Sequence, residues 1–402
     1  MENTHKMQNT PLGLIPEGWS ARPLGDLCEI HGRIGFRGYT KADLVRKGEG
    51  AITFSPSDID NQRISYKDCD YISWAKYAES PEIQVKEGDI LFCKTASIGK
   101  CAQIWDLKEK ATINPQFVLL NDFKCNSSLL YYMLAFSSFQ NRVLVITGGS
   151  TIPTISQEAM KKQLIPIPDD PDEQKRIADT LLSIDKILGA LDEAIAKKRQ
   201  IKEGLMQQLL TGKTRLPGFP DVWKEYSLGE FCQIIMGQSP SSSYYNSRGE
   251  GLPLIQGNAD LNNRRSFIRM YTSMITKVCE EGDIIMSVRA PVGAVGKASY
   301  KSCLGRGVCA MKASSDFLYH YLVYNENNWG QFSKGSTFDS INGDDLKSVA
   351  LFAPQSIEEQ NEIASILSKC EAEVGALENQ RAKYILIKQG MMQQLLTGKT
   401  RL

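Results

Sequence analysis

Two Gly-Lys-Thr triplets, Gly212-Lys213-Thr214 and Gly398-Lys399-Thr400, are the residues of this sequence whose type and spacing first invite chemistry, because that grouping cradles nucleotide phosphates in phosphate-binding loops. Such a loop needs a further glycine five residues before its second one, where this chain has Gln207 and Gln393, and it must open a helix. Both triplets instead follow long stretches of helical periodicity, so they read as helix stops. The other catalytic groupings fail in the same way. Asn114-Pro115-Gln116-Phe117 is similar to the Asn-Pro-Pro-aromatic motif of adenine methyl transfer, yet Gln116 replaces the second proline and no glycine-rich strand-turn-helix accompanies it, so it reads as the turn into a strand. Ten cysteines include no C-x-x-C pair, and only His5, His31 and His320 could assist them, which argues against zinc and for reduced, mostly buried thiols. No G-x-S-x-G elbow occurs. The expectation is a chain without catalysis of its own.

The two triplets belong to a repeat. Gly390 to Leu402 (GMMQQLLTGKTRL) nearly copies Gly204 to Leu216 (GLMQQLLTGKTRL), in a register of 186 residues. That register holds without a gap back through Glu173/Glu359, Gln174/Gln360, Ile177/Ile363, Ala178/Ala364 and Leu181/Leu367 to the Gly-Ser-Thr at Gly149/Gly335. Ahead of it the match survives in islands: Trp19/Trp223, Leu24-Gly25/Leu228-Gly229 and Cys28/Cys232, then Glu87-Gly88-Asp89-Ile90/Glu281-Gly282-Asp283-Ile284. Each half therefore pairs a module whose loops drift with an element that tolerates no insertion, as a packed helix does not.

The ungapped element is a long helix. Ile177, Leu181, Ile184, Leu188, Leu191 and Ile195 step by four and three, the 3.5-residue period of a coiled-coil seam. The second copy reads Ile363, Leu367, Cys370, Val374 and Leu377 before Arg381 and Tyr384 weaken it, and Ile201/Ile387, Leu205/Met391 and Leu209/Leu395 then restore an apolar face. Ser356-Ile357-Glu358-Glu359 has the form of a capping box, and Asp170-Pro171-Asp172-Glu173 puts an acceptor at the N-cap and proline at the first helical position. Gly212 and Gly398 suit the left-handed residue after a helix end, with Lys213, Arg215, Lys399 and Arg401 facing the negative end of the dipole. About forty residues at roughly 1.5 Å each give a rod of roughly 60 Å. The closest partner for its stripe is the other copy, antiparallel and around a pseudo-two-fold axis. The segment before Trp19, NTPLGLIPEGW, is similar to KTRLPGFPDVW before Trp223, which implies neighbouring termini.

The modules read as α+β globules. Short β-type runs (Ala51–Phe54, Asp89–Phe92, Phe117–Leu120; Pro253–Ile255, Asp283–Met286, Val308–Met311) alternate with glycine-rich turns and end in helices near Ser128 to Phe139 and Asp316 to Asn325. The expected division is 1–18, an N-terminal arm near the C-terminal end; 19–168, a first module; 169–216, a central helical spacer; 217–354, a second module; and 355–402, a C-terminal helical spacer. Net charge is +1, with 16 basic against 15 acidic residues over 19–148 and 12 against 10 over 217–334. Charge alone does not point to nucleic acid. No apolar run approaches the roughly 20 residues that span a bilayer, and the first residues lack a signal-peptide pattern, so a cytoplasmic location is expected.

Taken together, Ile15-Pro16-Glu17-Gly18-Trp19 with Leu24-Gly25-Asp26, Trp223 with Leu228-Gly229-Glu230, the two Gly-Asp-Ile turns, the two Gly-Ser-Thr triplets and the two long helices ending Leu-Leu-Thr-Gly-Lys resemble the specificity subunit of type I restriction-modification systems. The resemblance covers nearly the whole chain. It implies two target-recognition domains, each reading one half of a bipartite double-stranded DNA site, separated by paired antiparallel helices that dock two methyltransferase subunits. Restriction/translocase subunits join them, and S-adenosylmethionine, ATP and Mg belong to those partners and not to this chain. Two other readings fit the same residues: a two-domain scaffold that binds proteins, and a specificity subunit serving a fused methyltransferase-nuclease.

Under that resemblance the DNA-facing residues of the first module are Arg33, Arg37, Tyr39 and Lys41, with Lys94, Thr95, Ser97 and Lys100 after the Gly-Asp-Ile strand. In the second they are Gln238, Ser239, Tyr244, Tyr245 and Asn246, with Arg289, Lys297 and Arg306. Arginine forks onto guanine, while lysine and hydroxyls hold phosphates, and Ser150, Thr151, Ser336 and Thr337 qualify as phosphate contacts. The recognised bases are not legible at this level.

Overall fold

A computed structural model describes residues 6–148, 152–332 and 340–402. The chain forms two compact units, Met1–Ala190 with Gln380–Leu402, and Leu191–Asn379. Each unit is α+β, and each takes the first half of one long helix and the second half of the other. Those helices run Pro171–Leu209 and Ile357–Leu395. Among the described residues no single helix is long and apolar enough to cross a membrane.

In the first unit, Ile90–Cys93 and Phe117–Asn121 run antiparallel at the centre of a four-stranded sheet, flanked by Cys101–Gln103 and Glu29–His31. A second, five-stranded sheet is built on Gly50–Phe54, which pairs parallel with Ala111–Ile113 and antiparallel with Asp70–Ser73. The period of two along the central strand divides the interior. Ile90 and Phe92 enter one core, with the helix Ser127–Ala135, while Leu91 and Cys93 enter another, with Ile52, Phe54 and Ile113. A strand buried on both faces reads as an unbroken apolar run, which is why its sequence shows no alternation.

The second unit repeats this plan. Ile284–Ser287 and Val308–Lys312 lie between Val295–Lys297 and Gln233–Met236, and Leu252–Ile255 pairs parallel with Ser302–Leu304. Ile284 and Met286 face one core, and Ile285 faces the other. The helix expected near Ser128 to Phe139 is two helices, Ser127–Ala135 and Ser137–Thr147, bent by 59°. Phe136 is extended at the break, and beyond it Phe139 meets Phe92 edge-on at 6.0 Å.

The long helices enter the cores of the modules. Within the first unit Ile177, Ala178 and Leu181 share a core with Met392, Leu395 and Leu396; within the second, Ile363 and Leu367 share one with Met206, Leu209 and Leu210. Residue numbers rise along one segment as they fall along the other, so each pair is antiparallel. Ile184, Leu188, Leu191, Ile195, Cys370 and Val374 are buried, and Leu377 is half-buried. Ile201 and Ile387 depart from the expected apolar face and stay 43% and 37% exposed.

A buried carboxylate closes each unit. Trp19 Nε1 donates to Glu173 Oε1 at 3.3 Å, and Arg401 Nε donates to the same oxygen at 2.8 Å while its second nitrogen reaches Oε2. Arg401 also donates to the carbonyl of Glu17 at 2.7 Å. In the second unit Trp223 Nε1 donates to Glu359 Oε1 at 3.2 Å, and Arg215 takes both carboxylate oxygens at 2.8 and 2.9 Å. Glu173 and Glu359 are 2% and 0% exposed. The capping box expected at Ser356 is thus half formed: Ser356 Oγ accepts from Glu359 N at 3.2 Å, but the Glu359 side chain turns inward. Arg215 and Arg401 correspondingly serve these carboxylates, whose full charge outweighs the fractional charge of a helix end. Gly212 and Gly398 do adopt the left-handed conformation, at φ 69° and 66°, and a Cβ on Gly398 would lie 2.2 Å from Pro16.

A second repeated contact joins module helix to long helix. In the first unit Tyr132 donates to Asp185 at 2.5 Å, and Lys388 pairs with Asp185 at 2.8 Å above the Tyr132 ring. In the second, Lys202 and Glu371 form the equivalent pair at 2.8 Å, and His320 stands where Tyr132 does, its Nε2 2.9 Å from Ser368 Oγ. Burial pushes the His320 imidazole down to about 4, against the attraction of Glu371 and with the repulsion of Lys202.

Two outcomes follow from these contacts. Arg215→Ala orphans a buried carboxylate and costs about 3 kcal/mol, the low end for breaking a buried pair; amide hydrogen exchange near Trp223 and 357–363 accelerates while that near Trp19 and 171–177 does not, and Arg215→Lys recovers less than half, having no fork. His320 has a folded pKa below its unfolded value, so the stability it allows is complete above about 6.5 and is lost as pH falls toward 4, by about 3 kcal/mol. His320→Tyr flattens that acid limb in a denaturant titration of the second unit.

Candidate nucleic-acid interface

In each module several strands end on one rim, and the drifting loops occupy it. In the second module Gly237 N meets Val308 O, Gln238 N meets Leu304 O, Val288 N meets Gly307 O and Gly305 N meets Ile255 O, all within 3.0 Å. Four strands therefore deliver Gln238, Gln256, Arg289 and Arg306 to the same edge. Gly237, Gly305 and Gly307 make this crowding possible, since a Cβ on any of them would meet neighbouring backbone or the Gln256 side chain at 3.1 Å or closer. Arg289 and Arg306 are exposed, and Ser239 Oγ fixes the Arg306 loop by accepting from its backbone N–H at 3.0 Å. Tyr244 is 49% exposed. Asn246 uses its side chain locally, donating to Glu250 O and accepting from Arg248 N and Glu250 N. Lys297 pairs with Asp316 at 2.6 Å over the Tyr319 ring, and so is committed within the protein.

The first module has the same rim with other side chains. Lys94 N meets Gln116 O at 2.8 Å, and Asn114 N meets Phe54 O at 2.9 Å. Asn114 and Gln116 bond to each other in the turn into strand Phe117–Asn121. The Lys94 ammonium is half-buried with no partner among the described residues, and burial lowers its pKa. Thr95 and Arg289 hold equivalent places, bridging to Thr154 and Ser340, so Lys94 corresponds to buried Val288. Lys41 and Ser97 are exposed.

Four residues of this module turn to internal work. Arg33 is 6% exposed and donates to Ile113 O and Thr112 Oγ1 while covering the Tyr39 ring. Tyr39 Oη accepts from Thr53 Oγ1, and Arg37 lies 3.5 Å from Glu82. Lys100 Nζ donates to Pro56 O at 2.8 Å and Ile59 O at 3.0 Å. Ser150, Thr151, Ser336 and Thr337 lie outside the described residues. Among the described residues no cluster of His, Cys, Asp and Glu is placed to hold a metal ion. Gln256 has no signal in the sequence, since a lone glutamine after an apolar run carries no motif.

A model of the type I restriction modification DNA specificity domain matches this chain twice, over residues 16–203 and 220–386. The putative type I restriction enzyme MjaX specificity subunit of Methanocaldococcus jannaschii is 32% identical over 418 residues, covering 98% of this chain and 96% of that protein. The MjaVIII specificity subunit of the same organism is 23% identical over 420 residues, covering 96% and 94%. A solved chain from work on complex assembly and conformational transition of the type I R-M system shares 26% identity and a TM-score of 0.58, covering 96% of this chain and 99% of that one. The S subunit of the type I system from M. genitalium, at 17% identity, shares the fold with a TM-score of 0.66, covering 98% and 99%. This chain belongs to the specificity subunits of type I restriction-modification systems.

Proposed function

We propose that each module reads one half of a bipartite DNA site through its rim, while the long helices space the halves and dock two methyltransferase subunits. The observation that carries this reading is that one scaffold, repeated, presents two unlike sets of uncommitted polar groups. The first rim offers Lys94, Thr95 and Ser97; the second offers Gln238, Arg289 and Arg306. Ile201, Ile387 and Leu386, left exposed on the helices, support a docking role for those rods. Catalysis lies with partners, which carry S-adenosylmethionine, ATP and Mg, and restriction subunits attach through the same complex. With modules of nearly neutral charge, the partners contribute much of the phosphate neutralisation.

The test is binding of a bipartite duplex by this chain with its methyltransferase, across salt. Affinity falls steeply with salt and depends on both half-sites. Lys94→Met weakens all duplexes alike and reduces the salt slope by about one, whereas Arg289→Ala relaxes one half-site only. Binding without sequence preference or salt dependence favours a protein scaffold instead.

A further inference from the structure

Gln256, at the end of strand Leu252–Ile255, is held more tightly than an exposed surface glutamine needs to be. Its backbone N–H donates to the buried Asp260 carboxylate at 2.7 Å, and its carbonyl lies where a Cβ on Gly307 would be only 2.0 Å away. Its stem lies against Gly305, where a Cβ would come within 3.1 Å of Cα and Cγ. The amide is fixed as well. Tyr245 Oη donates to the carbonyl of Pro240 at 3.1 Å, which spends the only hydroxyl proton, so that oxygen must accept from Gln256 Nε2 at 2.9 Å. The Tyr245 hydroxyl thereby fixes which end of the amide is the nitrogen. One Nε2 hydrogen and Oε1 remain side by side, without a partner among the described residues.

A paired donor and acceptor of that spacing complements N7 and the N6 amino group of adenine, presented in the major groove. The cations on the same rim, Arg289 and Arg306, match guanine or phosphate and cannot accept from an amino group. At the corresponding strand end of the first module stands Ser55, whose hydroxyl is used on Asp58 at 2.9 Å and Ser57 at 2.6 Å. The arrangement therefore belongs to one module only. Resting on the proposal that the rims read DNA, we infer that Gln256 reads an adenine in the half-site of the second module, with Tyr245 as its positioning residue.

The experiment is methylome sequencing of cells carrying this chain with its native methyltransferase subunits, as wild type, Gln256→Ala, Gln256→Glu and Tyr245→Phe. In Gln256→Ala one A·T position of one half-site becomes degenerate, and the other half is unchanged. Gln256→Glu, of the same shape but able only to accept, loses adenine there and moves toward the N4 donor of cytosine. Tyr245→Phe keeps the adenine with weaker preference. In duplexes with 7-deazaadenine at that position, which removes N7, affinity of the wild-type complex falls about tenfold and that of Gln256→Ala does not change. An unchanged motif in Gln256→Ala, relaxation at a G·C pair, or a normal motif in Gln256→Glu would overturn the inference while leaving the modules as DNA readers. Wild-type methylation without any sequence preference would overturn both.

Discussion

A carboxylate with almost no access to water, held by a tryptophan N–H and a forked arginine, is the constraint on which each unit depends. Glu173 and Glu359 lie at the starts of the long helices, and their partners Trp19 and Trp223 begin the modules. The arginines arrive from the far ends of the opposite helices in the repeat. Three segments distant in sequence must therefore meet before the Glu173 charge is compensated, and two before that of Glu359, since Arg215 and Trp223 lie close together in the chain. Removing a single partner strands that charge, which makes the contact a strong determinant of how module and helices join, whatever its net contribution to stability. The left-handed glycines at Gly212 and Gly398 belong to the same arrangement: they turn the chain sharply enough to bring Arg215 and Arg401 back.

With the junction fixed, the modules are free to differ. Each has a central strand buried on both faces, and the alternation of Ile90 and Phe92 against Leu91 and Cys93 ties two cores together. The rim lies at the ends of those strands, where substitutions alter what is presented without disturbing packing. The equivalence of Thr95 with Arg289 shows this economy. One backbone bridge carries a hydroxyl in one module and a guanidinium in the other. The same holds at the helix junction, where Tyr132 and His320 occupy matching places beside a conserved-geometry ion pair.

Much of this was legible in the sequence because it is local or repeated. The strands beginning near Ala51, Asp89, Val308 and Asp283 were found from apolar runs between glycine turns, and the helix ends from caps and the Thr-Gly-Lys pattern. What escaped was decided at long range. Glu359 looked like a capping-box residue because spacing cannot reveal that Trp223, 136 residues away, would claim it. Arg401 looked like a dipole partner for the same reason. Ile201 and Ile387 continued an apolar pattern, yet their neighbours cover them only in part. Arg33 resembled a surface cation until the fold placed Ile113 O beside it. Gln256 had no signal at all, since its meaning comes from Tyr245, Asp260 and two glycines converging from separate loops.

A forked, buried ion pair joins each module to its helices. A double-mutant cycle on Glu173→Gln and Arg401→Ala, read by denaturant unfolding of the full chain, measures it directly. The expected coupling lies well above the roughly 0–1 kcal/mol of exposed pairs, on the order of 2 kcal/mol or more. Single costs that simply add, to within about 0.5 kcal/mol, would contradict it.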